Sequence, residues 1–252
     1  MYEKRTYRQH MGAGRFTSIS LSIQESDLWI GWTGSVDQGK LARTATDLVR
    51  KLRLELLGHP DPRFLTSLVP LARHEYPSDL ANVMHRASLR AGTGPMAAVA
   101  GAIAQVVGKT LKQKFSLEEI VVENGGDLYI DVLKPLSVKL FAPTSAFSGK
   151  LSVVVPPSEC PLGVCTSSAR IGHSHSFGRA DAVLVAATDA ALADAWATAG
   201  CNQVQTKSDA ARVCTELSSQ EGILSVLVVF EDTLAIGGRL EVCTHDEQNT
   251  VP

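Results

Sequence analysis

Asp194 and Thr198 lie four residues apart in the alanine-rich stretch Ala187–Gly200, ATDAALADAWATAG. On a helix, residues i and i+4 project from one face. A carboxylate in so apolar a helix needs a partner to offset its desolvation. A hard divalent cation would serve. Mg²⁺ takes one or two carboxylate or hydroxyl oxygens from protein and completes its octahedron with water and phosphate. The plainer reading is a wet helix face, on which Asp194 caps or salt-bridges and Thr198 bonds back to a helix carbonyl.

Three further segments hold residue types suited to chemistry. In Gly94–Gly108, GPMAAVAGAIAQVVG, Pro95 fits the first position of a helix. The free N–H groups inside that start, around Gly94, Pro95 and Met96, can hold an anion such as a phosphate. Gly101 and Gly108 share a face where another backbone or a flat ligand can come close; alternatively this is a buried helix packed tightly on a sheet. In Val121–Ile130, VVENGGDLYI, Asn124-Gly125-Gly126-Asp127 reads as a hairpin connector, because Asn and Gly tolerate positive φ. A functional version lets a ligand lie on the bare backbone of Gly125 and Gly126, with Asp127 as a polar handle. Gly163–Val183, GVCTSSARIGHSHSFGRADAV, is irregular between two apolar runs. It is either a solvated surface loop or a working one. His173 or His175 could act there as a general base near neutral pH. No G-x-S-x-G elbow accompanies them, which argues against a serine hydrolase.

The elements that must position these residues follow from periodicity. Arg15–Ile23 alternates, and Leu28, Ile30 and Trp32 repeat the pattern after a turn, so the two form a hairpin. Gln38–Leu57 is helical, with Leu41, Ala45, Leu48, Leu52 and Leu56 on one stripe, stopped by Gly58 and Pro60. The proline-rich connection after it holds a short helix near Arg63–Leu68. Ser78 caps a helix through Leu89, and Pro95 starts another to about Lys112. Strands are expected at Glu119–Glu123, Leu128–Leu133, Ser137–Phe141, Leu151–Val155, Val164–Ser167 and Ala182–Ala187. Helices follow at Asp189 or Ala190 to Ala199 and at Ser208–Ser218. Ile223–Phe230 and Thr233–Ile236 close a hairpin, with an edge strand at Leu240–Cys243. The order is not a βαβ alternation. An α+β architecture fits, with a largely antiparallel sheet packed with helices, read as one domain over 1–252 with 1–13 and 245–252 peripheral.

Composition excludes several classes. The 252 residues carry 24 Lys plus Arg against 26 Asp plus Glu, which argues against a nucleic-acid protein working by bulk electrostatics. Aromatics are 6%, too few for a base-stacking surface. No apolar run reaches the ~18 residues of a membrane helix, and the basic N-terminus has no apolar core of a secretory signal. The expected location is the cytoplasm, with five cysteines reduced and mostly buried.

The segments GPMAAVAGAIA, ENGGD, GVCTSS, GHSHSFGRADAV and ALADAWAT, in this order and with the early ESDLWIG strand, resemble a family of bacterial and archaeal proteins related to the ApbE flavin transferases. The resemblance covers about Gly14–Asn202. It implies a T-fold-related architecture, FAD or FMN with Mg²⁺ as cofactors, and transfer of FMN from FAD to a Thr or Ser hydroxyl of a protein, with AMP released. On that resemblance Asp194 and Thr198 match the metal-binding A-D-A-x-A-T segment. Gly125, Gly126 and Asp127 match a GGD turn, and Thr166, Ser167 and Ser168 match a T-S-G segment. His173, or secondly His175, matches an essential histidine. Two departures stand out: SFGRAD replaces the family's D-P-x-T-G, and Ala100-Gly101 stands where the transferases have Lys-Gly. A non-catalytic binder of a flavin or other phosphorylated small molecule, and a partner-binding protein with the fold alone, therefore stay open beside the transferase. So does a homo-oligomer.

Overall fold

The computed structural model describes residues 14–72, 76, 78–142, 145–169 and 178–245. The basic lead-in, His173, His175 and the tail beyond 245 lie outside the described residues.

The chain opens with β1 (Thr17–Ile23) and β2 (Ser26–Trp32), paired as the expected antiparallel hairpin. β1 is half-buried at a sheet edge, whereas every residue of β2 is buried. α1 (Gln38–Leu57) begins where the Asp37 carboxylate accepts the Lys40 N–H at 2.7 Å. Its core stripe is Leu41, Ala45, Val49, Leu52 and Leu56. Val49 takes the inner position expected for Leu48, which is half-buried: at 100° per residue the two stand equally far to either side of the stripe through Leu41, Ala45, Leu52 and Leu56, so spacing alone does not choose between them. A 3₁₀ turn at Pro62–Leu65 replaces the short helix of the connection. α2 (Asp79–Ala91) is capped by Ser78 and stopped by Gly92 at φ 71°.

The expected helix from Pro95 divides. Pro95–Ala98 is a 3₁₀ turn, and α3 runs from Val99 to Phe115. Two antiparallel strands follow, β3 (Ile120–Asn124) and β4 (Asp127–Asp131). β5 (Leu136–Lys139) and β6 (Leu151–Val155) then leave the main sheet. The other elements are β7 (Leu162–Ser167), β8 (Ala182–Ala187), α4 (Ala190–Gln203), α5 (Lys207–Ser218), β9 (Ile223–Phe230), β10 (Thr233–Gly238) and β11 (Val242–Thr244).

Eight strands form one sheet in the order β1-β2-β3-β4-β7-β8-β9-β10, with every neighbouring pair antiparallel. The sheet divides into two halves of like plan. In β1–β4 two hairpins are joined through α1, α2 and α3; in β7–β10 two strand pairs are joined through α4 and α5. Hydrogen bonds between β4 and β7 join the halves. All five helices lie on one face, over a core that includes Trp32, Leu41, Met84, Leu111, Val185 and Val228. The opposite face is covered by the three-stranded sheet β11-β6-β5, over Trp29, Val121, Ile130, Val153, Leu184 and Val229. The last expected strand thus belongs to this second sheet. Covering on both faces is why β2, β8 and β9 are buried throughout rather than alternating.

Where the halves meet, small residues let backbones touch. A Cβ on Gly163 of β7 would overlap the Cα of Ala190, the first residue of α4. A Cβ on Gly101 of α3 would overlap the Ala190 carbonyl, and one on Gly108 would enter the ring of Tyr129. The shared face of Gly101 and Gly108 therefore serves close packing and not a flat ligand. Among the described residues no single helix is long and apolar enough to cross a membrane.

Gly163→Ala is expected to lower unfolding free energy by about 3 kcal/mol, the upper end for overpacking against backbone. Gly149→Ala, at φ 72° but in open space, should cost only about 1 kcal/mol of left-handed strain. Urea unfolding of the two variants checks this; equal losses would contradict the close approach of α4 to β7.

Candidate functional site

Four segments converge at the join between the halves, on the helix-covered side of the sheet. The register that sets Leu128 opposite Val164 places Asp127 of β4 beside Cys165 of β7 one step further along. Asp127 shares a sheet face with Tyr129, which packs beneath α3. The start of α3 supplies backbone N–H groups, and α4 supplies Asp194.

Local structure brings each residue there. Asn124 and Asp127 close a two-residue hairpin turn, with Gly125 at φ 74° and Gly126 at φ 106°. Both glycines carry the positive φ such a turn demands. The turn is fastened twice: the Gly126 N–H donates to Glu123 Oε1 at 2.6 Å, and Asn124 Nδ2 donates to the Ala100 carbonyl at 3.1 Å. The hairpin reading thus holds locally. Gly126 also faces open space: a Cβ there would meet nothing within 4 Å.

Asp194 is the centre of the arrangement. The first N–H groups of a helix have no intrahelical acceptor, and Ala98, the residue capping α3, offers no side-chain bond. Asp194 fills that role from α4. The Gly101 N–H donates to its Oδ2 at 2.9 Å, and the Ala100 N–H also bonds to the carboxylate. The anion expected at this helix start is thus a carboxylate of the chain itself, held at Ala100 and Gly101. Gly94, Pro95 and Met96 belong to the preceding turn, and a Cβ on Gly94 would overlap the backbone of Ser67. That turn is set by packing against its neighbours.

Burial pushes the Asp194 carboxyl well above the usual range, and the charge of Asp127 pushes it further; the two N–H donors of α3 oppose the shift. Cys165 is buried beside both carboxylates. Burial, then the Asp127 and Asp194 charges, raise its thiol well above the ordinary value. The thiol therefore remains protonated, and its S–H donates to the Ala190 carbonyl at 3.4 Å. Ala190 is held at its other end too, its N–H donating to Gln105 Oε1 of α3 at 2.7 Å.

The remaining expected residues divide by sheet face. Cys165 faces the helices and Val164 the three-stranded sheet, so alternation puts Ser167 on the helix side and Thr166 on the other. Thr166 is thereby turned away from Asp194. Ser167 is buried, and its Oγ has no hydrogen-bond partner among the described residues; Ser168 is half-buried. Thr198, one helical turn beyond Asp194, is half-buried. Sequence reasoning missed Asn124, Cys165 and Gln105 as fastening residues. For Gln105 a signal existed: an amide inside the apolar run GAIAQVVG must find a partner if buried.

The donor set fits a hard cation. Asp194 is a buried carboxylate that feels the charge of Asp127, it has no ion-pair partner among the described residues, and Thr198 offers a hydroxyl nearby in sequence. Among the described residues no three His, Cys, Asp or Glu side chains group to enclose a metal. A cation at Asp194 would draw its other ligands from water or phosphate, as Mg²⁺ commonly does.

This arrangement of two sheet halves with helices on one face is the fold of the ApbE flavin transferases. The structure superposes on the flavin transferase ApbE of Vibrio cholerae with a TM-score of 0.59, at 14% identity over 89% of this chain and 97% of that one. The flavinyl transferase ApbE of Pseudomonas stutzeri gives 0.57 at 15% identity, covering 89% and 94%. At such identities the likeness is one of fold. Residues 8–232 match the family described as AbpE bacteria, and the chain belongs to it. It is 44% identical over 210 residues to the UPF0280 protein of Methanosphaerula palustris, covering 83% of this chain and 84% of that protein. With the UPF0280 protein of Methanocaldococcus jannaschii it shares 35% over 224 residues, covering 86% and 90%.

A raised folded-state value means the folded protein binds a proton more readily than the unfolded chain between the two values. The contribution is therefore fully present below the unfolded Asp range and lost as pH rises through the raised value. In chelator, wild-type stability should fall as pH climbs above about 4. Asp194→Asn, which keeps an acceptor for the Gly101 N–H, should flatten that fall and be the more stable protein at pH 8. Thermal unfolding from pH 4 to 8 measures both; parallel pH profiles would contradict the buried-carboxylate account.

Proposed function

We propose that the chain is a divalent-cation-dependent flavin-nucleotide protein. It binds FAD or FMN with Mg²⁺ and transfers FMN from FAD to a Thr or Ser hydroxyl of a protein acceptor. The observation that carries this reading is the Asp194 carboxylate, buried beside Asp127 at the α3 start, within an ApbE fold.

Asp194 and Thr198 would hold the cation, with Asp127 adding negative charge beside it. The open backbone of Gly125 and Gly126 would admit the nucleotide. Ser167, whose buried hydroxyl has no partner among the described residues, and Ser168 would bond it, with Thr166 reaching it only from the strand end. Gly94, Pro95 and Met96 would border the cofactor. When bound, Mg²⁺ supplies charge neutralisation at the diphosphate. The acceptor oxygen bonds to the flavin-side phosphorus, the diphosphate P–O bond breaks and AMP leaves. His173, or His175 in its place, takes the hydroxyl proton. The partners of this reading are a nucleotide and a protein hydroxyl, with no part for nucleic acid or membrane. The proposed location is the cytoplasm, and a homo-oligomer is compatible with it.

A second reading, binding without transfer, is favoured by SFGRAD in the histidine segment and by Ala100-Gly101 at the α3 start.

FAD with Mg²⁺ at ~100 Kd should stabilise the protein by about 2.7 kcal/mol in thermal unfolding, and the mixture should release AMP. Asp194→Ala should abolish AMP release and the Mg²⁺ dependence. Stabilisation without AMP selects the binder; no effect of FAD or FMN, with or without Mg²⁺, overturns both readings.

A further inference from the structure

Gln105 is 4% exposed and lies in α3 just over a turn beyond Gly101. Its Oε1 accepts the N–H of Ala190, the first residue of α4, at 2.7 Å. Asp194, just over a turn into α4, accepts the Gly101 N–H near the start of α3 at 2.9 Å. Each helix thus satisfies an N–H at the other's start with a side chain. The two bonds are separated by one helical turn on both sides, and the backbones touch between them at Gly101 and Ala190. Ala190 also takes the Cys165 S–H on its carbonyl and rests with its Cα on Gly163, and the chain just before it is tied by the Thr188 N–H to the Gly222 carbonyl at 2.8 Å. Of these contacts, the Gln105 amide is the one that ties the first N–H of α4 directly to α3 by a hydrogen bond.

We infer that Gln105 is a positioning residue: by holding the start of α4 it sets where the Asp194 carboxylate stands against the α3 N–H groups and Asp127. It touches neither cation nor nucleotide. Its effect on cation binding rests on the reading of Asp194 given above, whereas its effect on the Gly101 bond does not. The Gly101 N–H has no intrahelical acceptor this close to the helix start, so its hydrogen-exchange protection reports the Asp194 carboxylate directly.

The test compares wild type with Gln105→Met, which keeps length but loses the acceptor, and with Gln105→Glu, which keeps an acceptor oxygen. Val213→Ala, in the α5 core away from the join, controls for general loss of stability. Two quantities are read on the full chain: exchange of the Gly101 amide without metal, and Mn²⁺ affinity from the free-ion EPR signal. Gln105→Met should expose the Gly101 amide and weaken Mn²⁺ binding by about tenfold, the lower end for loss of an outer partner. Gln105→Glu should restore Gly101 protection, and Val213→Ala should move neither. Should Gln105→Met not fold, Gln105→Asn, too short to reach Ala190, carries the same comparison. The inference is overturned if the acceptor-less variant keeps Gly101 protection, or if Val213→Ala loses it equally. If wild type binds no Mn²⁺, the cation reading of Asp194 fails, and Gly101 exchange alone decides the role of Gln105.

Discussion

The approach of α3 to α4 at Gly101 and Ala190 is the constraint on which the site depends. No side chain stands between the two backbones there. Close contact brings two helix starts, each with unsatisfied N–H groups and a positive dipole end, near one another. That arrangement is unfavourable unless acceptors meet it. Asp194 and Gln105 are those acceptors, each offered by the opposite helix. The carboxylate is the better match for the dipole, and burial is what makes it costly. The same few atoms therefore fix the helix packing and leave a buried carboxylate at the join, the one that the proposed cation site uses.

The location follows from the sheet. β4 and β7 are the inner strands at which the halves meet, and each half sends one strand and one helix start to that line. Asp127 and the α3 N–H groups come from the first half; Cys165 and Asp194 come from the second. A site made this way cannot form in either half alone. The three-stranded sheet behind it, packed on Ile130, Leu162 and Val164, makes β4 and β7 two-sided core strands and so a rigid floor. Glycine at 163 then lets α4 rest directly on that floor.

Much of the fold is legible in the sequence because local signals agree. α1 spans Gln38–Leu57 as its apolar spacing predicts, and Gly58 ends it. The Asn-Gly-Gly-Asp turn and the continuous apolar run of β8 are equally direct. Asp194 and Thr198 stand out by helical spacing alone. Other features depend on distant partners. Nothing local distinguishes Pro95 starting a 3₁₀ turn from Pro95 starting a helix, and the tight seat of Gly94 on the Ser67 backbone is a contact no local pattern foretells. Period-2 alternation identifies β5, β6 and β11 but not the sheet they join. A phosphate-like anion at the α3 start is legible as chemistry, but its supplier lies 93 residues on, in another helix. Strand parity at Thr166 becomes informative only once the faces of Val164 and Cys165 are known.

The most direct test of the central claim is anomalous diffraction from crystals grown with Mn²⁺. The expected result is a peak within coordination distance of the Asp194 carboxylate, on the side facing Asp127, with the Gly101 N–H still bound to that carboxylate. A carboxylate held on Gly101 with no manganese beside it, or manganese bound elsewhere, would contradict the claim.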